Sequence, residues 1–263
     1  MKGCLFLLLW GAACLLLLGG CTGVVPRTES LDRSGVARVR SLFDRLVNSS
    51  CGERLDADLT MSWEGYGRSV HLSASLQAAR PGFLRLSAND PLGRPYLLLA
   101  LDGNEFVFLD IAASRGYTGP VSAAFVRRYL PASLAVDELT GWLTGTVDAG
   151  LQIDSIGREL DQARYWLEGV NRAGQRQLFC LDGAGRILRR LLMDRDGGVA
   201  VEALYGDYQE SSGCRRPTLL EFRGQEIQGT IRCRFHRYYP PGAWSSDLFH
   251  PPVPPGFRIQ EVR

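Results

Sequence analysis

Apolar and polar residues alternate along most of the chain, and the alternation has two different periods. Between Ser30 and about Ser50, Val36, Val39, Leu42, Phe43, Leu46 and Val47 recur at helical spacing, which predicts an amphipathic helix whose apolar stripe needs a cover. From Leu55 the period drops to two. Leu55, Ala57, Leu59, Met61 and Trp63 form one set, Val70, Leu72, Ala74, Leu76 and Ala78 a second, and Leu84, Leu86 and Ala88 a third. This is the pattern of strands with one dry face. Turn signals at Gly65 and Gly67 and at Pro81-Gly82 separate them, so three consecutive strands of a meander are expected.

The turn Asp90-Pro91-Leu92-Gly93, the apolar run Tyr96 to Leu101, a hairpin at Asp102-Gly103 and the run Phe106 to Ile111 close this block. From Ser122 to Gly145 the spacing of Phe125, Val126, Tyr129, Leu130, Leu134, Leu139, Trp142 and Leu143 predicts two short helices separated near Pro131. Strands are then predicted near 151–157, 161–170, 175–181, 185–194, 199–208, 216–223 and 226–237, with turns at Ala173-Gly174, Asp182 to Gly185 and Asp196-Gly197-Gly198. About a dozen locally paired strands with a leading helix and a helical interruption make a mainly β fold: a strongly curled antiparallel sheet or incomplete barrel. The tail from Pro240 to Pro255 holds too much proline for a central strand and is expected to wrap the surface.

The chain opens with Met1-Lys2, an apolar run from Cys4 to Leu18, and Leu18-Gly19-Gly20-Cys21. The run is short for a membrane-spanning helix of about 20 residues and has the charged start and small-residue end of an export signal. Leu-Gly-Gly-Cys resembles the lipobox of bacterial lipoproteins. That resemblance implies cleavage before Cys21 and attachment of diacylglyceryl and acyl groups to it. At about 0.8 kcal/mol per buried methylene, several chains anchor a protein firmly. Thr22 stands where, by the same resemblance, an aspartate would argue for retention in the inner membrane, so an outer-membrane address facing the periplasm is expected. The organisation read from the sequence is therefore a signal peptide (1–20), a lipidated tether (21–30), a half-barrel domain (31–239) and a proline-rich extension (240–263).

Lysine occurs only at Lys2, and the arginines nearly balance Asp and Glu, which gives no electrostatic case for nucleic acid. Besides Cys21, the exported part carries Cys51, Cys180, Cys214 and Cys233. A two-residue turn at Arg223-Gly224 would set Cys214 opposite Cys233 and favour that disulfide; four buried free thiols are the alternative. No cysteine pair has metal-ligand spacing and the histidines at 71, 236 and 250 are scattered, so no metal and no cofactor beyond the acyl groups on Cys21 is expected.

No nucleophile elbow, zinc-protease motif or phosphate loop is present, so no catalytic residue is assigned and an enzyme is not expected. His71 sits in the polar register of its strand. Asp194 to Gly197 reads as a hairpin turn lacking the other ligands of a calcium loop. The pairs Arg189-Arg190 and Arg215-Arg216 read as solvated faces.

Two segments carry a family resemblance. Phe83-Leu84-Arg85-Leu86 running into Asp90-Pro91-Leu92-Gly93 is similar to a strand and Asn-Pro-Leu-Gly turn of LolB, and Tyr129-Leu130-Pro131 followed by Leu139 and Trp142-Leu143-Thr144-Gly145 resembles its helical segment ending in Trp-x-x-Gly. With the leading helix, the likeness spans roughly Val36 to Tyr239. It departs in Asp90, in the four cysteines and in the C-terminal extension. The resemblance implies a LolA/LolB-like unclosed barrel with a helical lid over an apolar cavity. Such a protein receives lipoproteins or lipids, with a LolA-like periplasmic carrier as donor, and inserts them into the outer membrane as a monomer. The implied membrane-delivery loop is Pro91, Leu92 and Gly93, although a leucine at a turn also folds back onto a core.

Leu59, Met61, Trp63, Leu72, Leu76, Leu86, Leu97, Phe108 and Trp142 face inward in this reading and either line the cavity or pack as ordinary core. The rival from a different class is a non-catalytic scaffolding lipoprotein for an envelope complex, with its interior fully packed. A cavity of several hundred Å³ separates the two.

Overall fold

The computed structural model describes residues 26–126, 130–147, 150–160, 162–240, 242 and 244–263. Cys21 and Tyr129 lie outside the described residues. The first half comprises β1 (Thr28–Ser30), α1 (Arg33–Val47), β2 (Arg54–Gly65), β3 (Arg68–Ala79), β4 (Phe83–Asn89), β5 (Pro95–Asp102), β6 (Glu105–Asp110) and β7 (Arg115–Pro120). After α2 (Leu139–Thr144) come β8 (Gln152–Glu159), β9 (Arg164–Val170), β10 (Arg176–Asp182) and β11 (Ile187–Met193). The last strands are β12 (Val199–Ser211), β13 (Cys214–Arg223), β14 (Thr230–Tyr238) and β15 (Arg258–Glu261).

All of them belong to one 15-stranded sheet, in the order β1-β8-β9-β10-β11-β12-β13-β14-β2-β3-β4-β5-β6-β7-β15. Two meanders, β2–β7 and β8–β14, are joined along the β14–β2 ladder. Every pair is antiparallel except β15 on β7, and β1 and β15 remain as unjoined edges, so the sheet curls without closing.

Four of the hairpins share one local device. Asp90, Asn171, Asp182 and Asp194 each stand three residues before a glycine, Gly93, Gly174, Gly185 and Gly197, with φ between 77° and 82°. In each turn the Asx side chain accepts backbone N–H bonds from the second and fourth residues after it, as Asp90 does from Leu92 (2.9 Å) and Arg94 (2.9 Å). A short acceptor mimics one turn of backbone, and glycine takes the left-handed position without a Cβ clash. Asp90 therefore performs the capping task of an asparagine and adds an ion pair to Arg94 at 2.6 Å.

Helix α1 starts at Asp32, whose carboxylate caps Gly35 N at 2.7 Å, and it buries Val39, Leu42 and Phe43 against the concave face. Phe43 meets Phe179 of β10 edge to face at 5.6 Å. Strand β7, the edge strand β1 within the expected tether and the edge strand β15 within the expected wrapping tail are additions to the sequence reading. Their apolar content is too low and their length too short for periodicity to register. Of the two helices expected before Gly145, the second is α2, preceded by a 3₁₀ turn at Val136–Glu138. The first falls on a stretch that includes residues 127–129, outside the described set.

The expected Cys214–Cys233 disulfide is not formed. Residues 224–229 make a six-residue connection instead of a two-residue turn, which places Cys233 opposite Leu220, while Cys214 lies at the far end of β13 opposite Ser211. Cys214 is bonded to Cys51, just ahead of β2, with Cα atoms 5.5 Å apart. Cys180 and Cys233 are free and buried, and burial pushes both thiols up to about 12.

The arginine pairs are also corrected. Arg189 points outward to Glu202, but its neighbour Arg190 points inward and is 1% exposed. Arg216 is buried too, donating to the carbonyls of Cys51 (3.2 Å) and Arg54 (3.0 Å) beside the disulfide. Strand alternation sends adjacent residues to opposite faces, so two consecutive arginines cannot share one environment.

Candidate functional site

The concave face is divided in two. Over β9–β12 it is filled by α1, α2 and Arg190; over β2–β6 and β12–β14 it is hollow, with a cavity of about 310 Å³ whose wall is apolar throughout. The lid is formed by Phe125 and Val126 and by the segment from Leu130 to Leu143, in which Trp142 is fully buried. Leu59, Met61, Leu76, Leu86, Leu97, Phe108 and Trp142 all contribute to the wall. Trp63 and Leu72 do not. Leu72 is packed in the core, and Trp63 sits at the end of β2, its ring against Gly65 and beside Gly229.

Periodicity located the inward face but not the depth along each strand. Wall residues from β12–β14 and the lid, such as Val201, Phe222, Ile231 and Leu134, were therefore missed although they show the same alternation.

The hollow has a closed and an open end. On β2, Leu55, Ala57 and Leu59 are buried, whereas Met61 and Trp63 are half-buried. The same gradient runs from Leu101 to Leu97 on β5, from Phe106 to Phe108 on β6, from Leu220 to Phe222 on β13 and from Phe235 to Ile231 on β14. Because neighbouring strands are antiparallel, these less buried ends all lie at one rim, which carries the β2–β3, β4–β5 and β13–β14 turns. Leu92 is at the tip of the β4–β5 turn and is 78% exposed, pointing away from the core. The turn itself dictates this: Pro91 supplies the φ of the first central position, Asp90 caps the loop, and a Cβ on Gly93 would meet nothing within 4 Å.

The lid is clamped electrostatically. Glu138, at the entry to α2, accepts hydrogen bonds from Arg190 (3.1 Å), Gln177 (3.1 Å), Asn171 (2.8 Å) and the Trp142 indole (3.4 Å). The Arg190 guanidinium lies 4.0 Å from the centre of the Trp142 ring. Further along, Ser133 donates its N–H (2.9 Å) and hydroxyl (2.5 Å) to Glu226 of the β13–β14 connection. A carboxylate with so many donors holds one lid position firmly. Nothing in the sequence periodicity marks Glu138, which reads as an ordinary helix-start acid.

Among the described residues no group of three His, Cys, Asp or Glu side chains is placed to hold a metal ion, and no helix is long and apolar enough to cross a membrane. His71 is exposed on β3. The chemistry this arrangement offers is therefore that of a shielded hydrocarbon-like space, bounded on one side by a polar clamp.

No protein-family profile matches the sequence, and no curated protein matches it either. Solved structures do. A DUF1329 family protein from Desulfovibrio piger superposes with a TM-score of 0.58 at 11% identity, covering 82% of this chain and 96% of its own. A putative outer membrane lipoprotein-sorting protein domain from Vibrio parahaemolyticus gives 0.55 at 12% identity, over 80% of this chain and 94% of that one. A LolA superfamily protein from Nitrosomonas europaea gives 0.55 at 11% identity, over 80% and 96%. The fold is thus LolA/LolB-like: a mainly β, unclosed antiparallel sheet with an inner helical layer.

Proposed function

We propose that this chain is a lipid-anchored envelope protein, outer-membrane facing, that holds acyl chains of lipoproteins or lipids in its hollow and passes them into the membrane without chemistry. The observation that carries this reading is the wall of the 310 Å³ cavity, built from apolar side chains alone. An empty apolar cavity stays dry and takes apolar ligands, and this one is at the small end of the roughly 300–1,000 Å³ typical of ligand sites. One chain, not a whole lipid, matches that space.

The LolA-like fold, the open rim and the exposed Leu92 support the reading. The acyl anchor on Cys21, the outer-membrane address and a LolA-like donor rest on the sequence resemblances. A scaffold with a packed interior agrees only with the half of the sheet beneath α1.

The test is titration of the full chain with a fluorescent fatty acid. Saturable binding is expected, and Leu86→Trp, which fills the hollow, is expected to weaken it by at least tenfold. Absence of saturable uptake would remove the transfer reading.

A further inference from the structure

The rim that opens the cavity has a second exposed tip. Strands β2 and β3 pair up to Gly65 opposite Arg68, so Tyr66-Gly67 is a two-residue turn, and both residues have positive φ, 50° and 72°. This is the type I′ geometry, which strongly favours Asn or Asp at its first position; a bulky aromatic there is an outlier that costs free energy. The other described non-glycine residues with positive φ are Ser114, Asp207, Ser212 and Gln228, all polar. Tyr66 gains nothing from packing in return, since it is 80% exposed, and a Cβ on Gly67 would meet nothing within 4 Å. Strain kept at an exposed aromatic, without folding benefit, points to use.

The surroundings say what kind of use. Tyr66 and Leu92 are the two most exposed large apolar side chains among the described residues, and Tyr96, 39% exposed, lies beside the Leu92 turn. Each tip has the same form, Tyr66-Gly67-Arg68 and Leu92-Gly93-Arg94. The acids next to the two tips, Glu64 and Asp90, are engaged by Arg232 (3.1 Å) and Arg94 (2.6 Å), whereas Arg68 is exposed and makes no ion pair among the described residues. Tyrosine belongs at the headgroup level of a bilayer, and an unpaired arginine beside it is complementary to an anionic surface.

We propose that Tyr66-Gly67-Arg68 is a second membrane contact, and that the rim docks by two tips on the surface of a bilayer containing anionic phospholipid. This rests on the transfer reading above and adds to it a specific surface and a lipid-charge preference.

Photocrosslinking of the full chain, reconstituted in vesicles, tests it. A benzophenone amino acid replaces Tyr66, Leu92 or, on the opposite rim, the exposed Asn104. The vesicles are phosphatidylcholine alone or phosphatidylcholine with a minority of phosphatidylglycerol. Lipid adducts are expected from positions 66 and 92 but not 104, with more adduct in the anionic vesicles. Arg68→Ser should lower the yield at 66 about fivefold there and leave it unchanged in neutral vesicles.

Tyr66→Asn, which suits the turn, should raise Tm by roughly 2–4 °C while reducing delivery. Adducts from 92 alone, equal adducts from 66 and 104, or no gain in Tm each overturn the second contact. If the fatty acid still binds in the cavity in those cases, the transfer reading survives; if it does not, that reading fails by its own test.

Discussion

At the scale of single residues, Leu92 and His250 show how local bonding fixes a property that side-chain type leaves open. A leucine at a turn is as compatible with a core as with a tip. Here Asp90 locks the loop through Leu92 N and Arg94 N, so the side chain stands clear. Entering hydrocarbon from this position gains most of the roughly 1.5–3 kcal/mol that burying a leucine yields. Leu92→Glu should therefore leave the Tm nearly unchanged and cut lipid delivery to vesicles by about tenfold. Equal delivery by the variant would reduce Leu92 to a turn residue.

His250 sits in the C-terminal strap, with Nδ1 against Ser246 O (3.0 Å) and Nε2 against Asp102 Oδ2 (2.7 Å). The Ser246 carbonyl first, and then Asp102, raise its pKa above the ordinary value of about 6.5. The folded pKa exceeds the unfolded one, so this clasp contributes fully below pH about 6.5 and is lost as pH rises through the raised value. Fluorescence of Trp244, which touches Phe249 in the same strap, should change across that window. His250→Gln should abolish the transition.

At the scale of elements, the strands, the leading helix and α2 are legible in the sequence because each presents one dry face, and alternation records that face directly. The lid's attachment is not legible. Glu138 and Arg190 are 52 residues apart, and both look like surface charges until β11 turns Arg190 inward. The disulfide failed for a related reason: one unrecognised six-residue connection changed the register of β13 against β14, and with it every facing pair.

The clamp gives an element-level prediction. Breaking a buried ion pair by removing one member costs about 3–5 kcal/mol. Glu138→Ala should lower stability by about that amount and speed fatty-acid uptake, as the lid is released from β9 and β10. Glu138→Ala with Arg190→Met should recover part of the loss, because apolar groups then replace both members of the buried pair. Failure of the double variant to recover would mean that Glu138 acts mainly through Asn171 and Trp142 instead.

At the scale of the whole molecule, an open sheet has no ring of strands to hold its curvature, so something else must keep a hollow from collapsing or splaying. Inner packing by α1 fixes one half, and the β14–β2 ladder joins the two meanders in the middle of the hollow part. The Cys51–Cys214 bridge crosses near that same seam at the closed rim, reinforced by Arg216 on the carbonyls of Cys51 and Arg54. The two free thiols are buried, Cys233 on the β14–β2 ladder opposite Met61 and Cys180 on β10, and burial holds both protonated.

Curvature is thus tied down at the end opposite the mouth, leaving the rim with Leu92 free of covalent restraint. Linking residues 163 positions apart removes much unfolded-chain entropy, and losing such a bond typically costs about 2–5 kcal/mol. Cys51→Ser with Cys214→Ser should lower the denaturation midpoint accordingly and, by letting the closed rim relax, weaken fatty-acid binding while leaving vesicle crosslinks at the open rim in place. A pair variant that binds fatty acid as tightly as the parent would show that the sheet's own twist, and not the bridge, sets the size of the hollow.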